Sequence, residues 1–79
     1  MSLVWTVWGR PGCIWCKNIL AFLHEKKQLV NYIELSPDTL ERFNRATKGA
    51  RTVPQVFYDD DLLGGYDNTV EFWKLLNNE

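Results

Sequence analysis

The chain has 79 residues, 46% of them hydrophobic and 24% charged, and a net charge of −1. That is enough for one domain spanning residues 1–79 and not for two, and the composition excludes a disordered chain and the basic footprint of a nucleic-acid or anionic-membrane binder. A chain this short buries only about 60% of its unfolded surface, so marginal stability is expected.

No apolar run approaches the roughly 18 residues that span a bilayer. No basic segment followed by an apolar stretch and a small-residue cleavage site is read at the N-terminus. The two cysteines, Cys13 and Cys16, are too few for a disulfide-rich secreted scaffold. The loop between them is also too short to stabilise much by chain entropy. In a reducing compartment such a pair points to catalysis or metal binding, and a cytoplasmic location is expected.

In chain order, residues Leu3 to Trp8 form an almost wholly apolar, β-rich run, which predicts a central strand covered on both faces. Gly9 to Gly12 carries turn chemistry. From Cys13 a helical period takes over. Cys16, Ile19, Leu20 and Leu23 fall at i, i+3, i+4 and i+7 on one apolar face, and Lys26 and Lys27 suit the far end of the helix dipole. Cys16 is therefore expected on the buried side and Cys13 at the exposed N-terminal end.

Leu29 to Leu35 is a second strand, with Asn31 and Glu34 suggesting some exposure. Ser36-Pro37-Asp38 reads as an N-cap, a first-turn proline and a first-turn acid. They open a helix to about Lys48 with Leu40 and Phe43 inward and Gly49 as its stop. Gln55 to Tyr58 is a third strand, Asp59-Asp60-Asp61 a solvated hairpin turn, and Leu62-Leu63 a short return strand broken by Gly64-Gly65. Asn68-x-x-Glu71 resembles a capping box, with Asp67 as the competing cap. The last helix carries Val70, Phe72, Trp73, Leu75 and Leu76. The order β-α-β-α-β-β-α predicts an α/β fold with a mixed sheet and helices on both faces. Trp5 and Trp73 are expected in the core. Trp8 belongs either to the core or to the border of the active site.

A thiolate is the nucleophile of disulfide exchange, and helix N-termini and nearby cations lower a cysteine's pKa from about 8.5 to roughly 3.5–7.5. Cys13 has both in prospect, with first-turn N–H groups and Arg10 three residues upstream. Cys16 should wait one turn inside. The expected course is attack by Cys13, a mixed disulfide, and release by Cys16 or an outside thiol. A structural zinc site normally needs four ligands. His24 lies about 12 Å beyond Cys16 by helical rise, too far to join the pair, and no metal is expected. The alternative is two unreactive thiols.

Three motifs resemble those of the glutaredoxin family, within the thioredoxin-like fold. They are Cys13-Ile14-Trp15-Cys16, Thr52-Val53-Pro54-Gln55-Val56-Phe57 and Gly64-Gly65-Tyr66-Asp67-Asn68. The likeness covers essentially the whole chain, and its short length is similar to small bacterial and phage members. The resemblance implies a single glutaredoxin domain with a four-stranded mixed sheet. It also implies a thiol-disulfide oxidoreductase that reduces protein disulfides and glutathione mixed disulfides, with glutathione as the returning reductant. Cys13 would be the nucleophile and Cys16 the resolving thiol. Partners would be glutathione and disulfide-containing proteins, with ribonucleotide reductase a common client of the family, and the chain would act as a monomer.

The resemblance also distributes roles over the glutathione site. Arg10 stands where the family usually has a lysine for the glycyl carboxylate, and a guanidinium is a sound replacement. Trp15 would wall the groove. Val53, after Thr52, would offer its backbone N–H and C=O to the cysteinyl part, and Pro54 would be cis. Gly65 would allow close approach, and the N–H groups of Tyr66 and Asp67 would receive the γ-glutamyl carboxylate. The family often has a glutamine or arginine two to four residues before this segment, a position not directly matched here; Arg51 is the nearest candidate, and the alternative is a solvated loop charge.

Two departures stand out. Ile14 replaces the usual proline, and Asn68 replaces an aspartate that pairs with the glutathione ammonium. Rival readings are a thioredoxin-type reductant recharged by a reductase, a [2Fe–2S] carrier and a redox-inert binding module.

Overall fold

The computed structural model describes residues 4–78. Leu3, the expected first residue of the opening strand, lies outside the described residues. The elements are β1 (Trp5–Gly9), α1 (Ile14–Glu25), β2 (Val30–Glu34), α2 (Leu40–Thr47), β3 (Gln55–Tyr58), β4 (Asp61–Gly64) and α3 (Tyr66–Asn77). They form one four-stranded sheet in the order β2-β1-β3-β4. β1 runs parallel to β2, with Val7 opposite Tyr32, and antiparallel to β3, with Val7 opposite Val56. β4 closes a hairpin on β3.

Alternation along β1 divides its side chains between two faces. Trp5 and Val7 join Ile19 and Leu23 of α1, Val56 of β3 and Trp73 of α3 in the buried core. Trp8 points the other way and packs edge-on against Phe43 of α2, ring centroids 5.5 Å apart. Helices thus cover both faces, α1 and α3 on one and α2 on the other, and β1 lies between two strands as its apolar sequence predicts. No helix among the described residues is long and apolar enough to cross a membrane.

Several boundaries differ from those read in the sequence. The second helix begins at Leu40, not after Ser36. Residues 36–39 instead form a turn, in which the Leu40 N–H donates to the Ser36 carbonyl at 2.9 Å. The Thr39 hydroxyl donates to the Glu34 carbonyl at 2.8 Å and accepts from the Ser36 N–H at 2.9 Å. These bonds tie the segment to the end of β2 and delay the helix. Leu40 is consequently 45% exposed, while Phe43 is buried. At the far end Lys48 already turns left-handed before Gly49 does.

The last helix starts at Tyr66 with Gly65 as its cap, so Asn68 is inside the first turn and neither it nor Asp67 is the cap. Its inward face ends at Trp73. Leu75 and Leu76 lie in the following turn and are exposed. The β3–β4 turn is Asp59–Asp60, and Asp61 belongs to β4. Asp59 is also more than a solvated tip, since its carboxylate accepts from the Val4 N–H at 3.3 Å and its N–H donates to the Val4 carbonyl at 3.0 Å.

Candidate active site

β1 ends at Gly9, and the chain reverses over Arg10 to Cys13, where the Cys13 N–H donates to the Arg10 carbonyl at 3.4 Å. Gly12 adopts a φ of 77° after Pro11, the proline-then-glycine arrangement of a type II turn. This turn delivers Cys13 to the N-cap position of α1. Its sulfur accepts a hydrogen bond from the Cys16 N–H at 3.2 Å and lies 3.8 Å from the Val53 carbonyl oxygen. The two cysteines are joined as a disulfide with Cα atoms 5.2 Å apart. Cys13 is half-buried, whereas Cys16 is 2% exposed against the core side of α1. The two sulfurs are therefore chemically unequal. One is half-buried at a helix N-terminus beside the Val53 carbonyl and the other faces the interior.

The cleft beside Cys13 encloses about 270 Å³. Trp15 stands on one side. Thr52, Val53 and Pro54 line it through the segment that enters β3, and Gly65 to Asn68 line it through the start of α3. The Val53–Pro54 bond is cis. The Gln55 amide fixes this segment by donating to the Thr52 carbonyl at 3.0 Å and its hydroxyl at 3.3 Å. Gly65 lies beside Pro54, where a methyl group on it would meet the Pro54 carbonyl oxygen at an ordinary contact distance of 3.7 Å. The Trp15 and Tyr66 rings, 5.2 Å apart, link the α1 and α3 sides.

The Gly65 carbonyl accepts from the Thr69 N–H at 3.1 Å and the Thr69 hydroxyl at 2.8 Å. The Asn68 side-chain oxygen accepts from the Gly65 N–H at 3.3 Å. Asn68 is thus already engaged in capping α3, while the first-turn N–H groups at Tyr66 and Asp67 belong to the helix end that meets the cleft.

Not every candidate lines this space. Arg10 lines a neighbouring cavity with Pro11, Leu35, Ser36, Pro37 and Leu40. Arg51 is exposed and lines neither space. Trp8 belongs to the α2 side, with the Arg42 guanidinium 5.6 Å over its ring. His24 is exposed, and no group of three or more His, Cys, Asp or Glu residues that could hold a metal occurs among the described residues.

Two residues escaped the sequence reading. Gln55 is one, because a glutamine inside a β-rich run gives no sign of the loop it fastens. Tyr32 is the other. It is 40% exposed and lies over Gly9 beside Cys16, and partial desolvation together with the Glu34 carboxylate raises its phenol above the ordinary value. Only the parallel pairing of β2 with β1 reveals this placement.

The glutaredoxin family model matches residues 4–63. A hybrid peroxiredoxin, hyPrx5, from Haemophilus influenzae is 32% identical over 86% of this chain, which spans 28% of that protein's length. The glutaredoxin of enterobacteria phage T4 is 31% identical, with 78% of this chain and 85% of the phage protein covered. Glutaredoxin 1 from Francisella tularensis, solved with cacodylate, superimposes with a TM-score of 0.80 over 99% of this chain and all of that one at 20% identity. The fold is thioredoxin-like.

Proposed function

The chain belongs to the glutaredoxin family of thiol-disulfide oxidoreductases, and we propose that it uses glutathione to reduce disulfide-containing proteins and glutathione mixed disulfides. The observation that carries this reading is the position of the Cys13 sulfur. It sits 3.8 Å from the carbonyl of Val53, a residue that lines a cleft whose other side is the N-terminus of α3.

The chemistry follows from the two environments. Once reduced, Cys13 keeps the Cys16 N–H and the α1 N-terminus to favour its thiolate. That thiolate attacks one sulfur of the substrate disulfide, a new S–S bond forms to Cys13, and the other substrate sulfur leaves as a thiolate. When the substrate is a glutathione mixed disulfide, glutathione stays on Cys13. Its backbone then pairs with Val53 as a short strand rung, and its γ-glutamyl carboxylate meets the N–H groups of Tyr66 and Asp67. A second glutathione thiolate attacks the glutathione sulfur and releases Cys13. When the mixed disulfide is with a protein, Cys16 can attack Cys13 instead and leave the disulfide seen here. Trp15 covers the ligand. Arg10 and Arg51, placed outside the cleft, attract the anionic peptide from its rim.

A glutathione-coupled assay on a glutathionylated peptide tests this. Cys13→Ser is expected to abolish turnover, and Cys16→Ser to keep it. Activity that persists in Cys13→Ser, or that needs a thioredoxin-type reductase in place of glutathione, contradicts the proposal.

A further inference from the structure

When the Cys13–Cys16 disulfide opens, the electron pair of the broken bond departs on Cys16. That sulfur is buried, and a thiolate in such a place is costly unless something hydrogen-bonds it. The Cys16 N–H is directed at Cys13, and helix geometry sets the Cys16 sulfur inside the first turn, away from the donors at the helix tip.

What faces Cys16 across β1 is Tyr32. A methyl group on Gly9 would lie 2.9 Å from Tyr32 Cε1, 3.1 Å from Tyr32 Oη and 3.0 Å from Cys16 Sγ. The phenol oxygen and the sulfur therefore flank one point above Gly9, no more than about 6 Å apart, and glycine leaves that point empty. Parallel pairing of Val7 with Tyr32 sets the ring on the same face of the sheet as α1. The Tyr32 hydroxyl makes no hydrogen bond to another group among the described residues.

We propose that Tyr32 is a positioning residue for the resolving thiol, its phenol donating a hydrogen bond to the Cys16 thiolate as that sulfur leaves. In the step concerned, a glutathione thiolate attacks Cys13 Sγ. The new S–S bond joins glutathione to Cys13, the Cys13–Cys16 bond breaks, and its electron pair leaves on Cys16 Sγ. The phenol keeps its proton and holds the thiolate until water protonates it. A phenol raised by burial and by Glu34 stays protonated at neutral pH and so remains a donor. The inference rests on the reading of Cys13 as the attacked sulfur and Cys16 as the resolving one.

Tyr32→Phe keeps the ring over Gly9 and removes only the donor. Opening of the oxidised protein by glutathione, followed by stopped-flow tryptophan fluorescence, is expected to slow about five- to tenfold, since hydrogen bonds to charged groups are among the stronger ones. In a Cys13→Ser background, where Cys16 is the lone thiol, the pH midpoint of its alkylation is expected to move upward with Tyr32→Phe. Turnover of a glutathionylated peptide by the Cys16→Ser protein should be unaffected by Tyr32→Phe, which separates a role at Cys16 from a general loss of structure. An unchanged opening rate with an unchanged midpoint overturns the proposal, as does an equal loss in the Cys16→Ser background. The alkylation midpoint involves no glutathione, so it decides the role of Tyr32 even if Cys16→Ser shows no glutathione turnover and the functional reading itself fails.

Discussion

The reactive thiol and one wall of the cleft, Trp15, come from eight consecutive residues, Gly9 to Cys16. The facing side is assembled from Thr52–Pro54 and Gly65–Asn68, two segments separated by the whole β3–β4 hairpin. The first is organised by local bonds, namely the Arg10–Cys13 turn and the Cys16 N–H on the Cys13 sulfur. The second depends on tertiary contacts that bring the start of α3 against Pro54 and on Gln55 and Asn68, which fasten the two loops. On the proposed function, reactivity resides with Cys13 and Cys16 in the local side, and recognition resides in the assembled side together with Trp15. Damage to one should separate from damage to the other.

The largest expected effect on stability comes from Gly9, where Tyr32 of β2 and Cys16 of α1 meet over β1. Gly9→Ala puts a methyl group within 3.1 Å of both the Tyr32 ring and the Cys16 sulfur. Overpacking of this kind costs about 1–3 kcal/mol, read as a lower urea midpoint, and the displaced Cys16 should impair closure of the disulfide. An unchanged midpoint would mean that α1 can move off β1 freely and that the tight fit at Gly9 does not matter.

A smaller effect is expected from Trp15→Ala, which leaves Cys13 and its donors in place but removes the ring opposite Tyr66. Aromatic contacts contribute about 1 kcal/mol. The KM for a glutathionylated peptide should therefore rise about fivefold with kcat nearly kept, the signature of lost uniform binding. A fall in kcat alone would mean that Trp15 acts on the thiol chemistry and not on binding.

The smallest effects belong to Asn68, at the start of α3. Asn68→Ala loses the bond from the Gly65 N–H and should cost about 1 kcal/mol of stability. Asn68→Asp keeps an acceptor there and adds a negative charge in the first turn, favourable by about 0.3–1 kcal/mol. It should also lower the KM for glutathionylated peptide, because a carboxylate can meet an ammonium where an amide cannot. Equal stability and KM in all three proteins would remove Asn68 from the assembled side.

The same division explains what the sequence makes legible. The strand-turn-helix around Cys13 is readable from consecutive residues, and so is the inequality of the two sulfurs, because both follow from turn chemistry and helical period. The apolar run of β1 likewise declares an interior strand. The assembled side is different. Nothing in the local pattern of Thr52–Pro54 or Gly65–Asn68 says that they meet, and only the likeness of the three motifs to a known family placed them together.

The two shifted helix starts share one cause. Thr39 and Asn68 carry side chains that accept from backbone N–H groups just before the helix, those of Ser36 and Gly65, so each helix starts at a place that propensity alone does not fix. Leu40 is expected inward beside Phe43, yet it is the first residue of its helix and is exposed. Tyr32 was invisible for a further reason. Its importance lies in what it covers, and that depends on strand register.

The central claim is that the assembled side receives the glutathione carried by Cys13. The most direct test is an amide NMR comparison of the Cys16→Ser protein before and after Cys13 is glutathionylated. The account predicts large shifts at the amides of Val53, Tyr66 and Asp67, with little change along β2 and α2. Shifts confined to Gly12–Lys17, with Val53, Tyr66 and Asp67 unmoved, would contradict it.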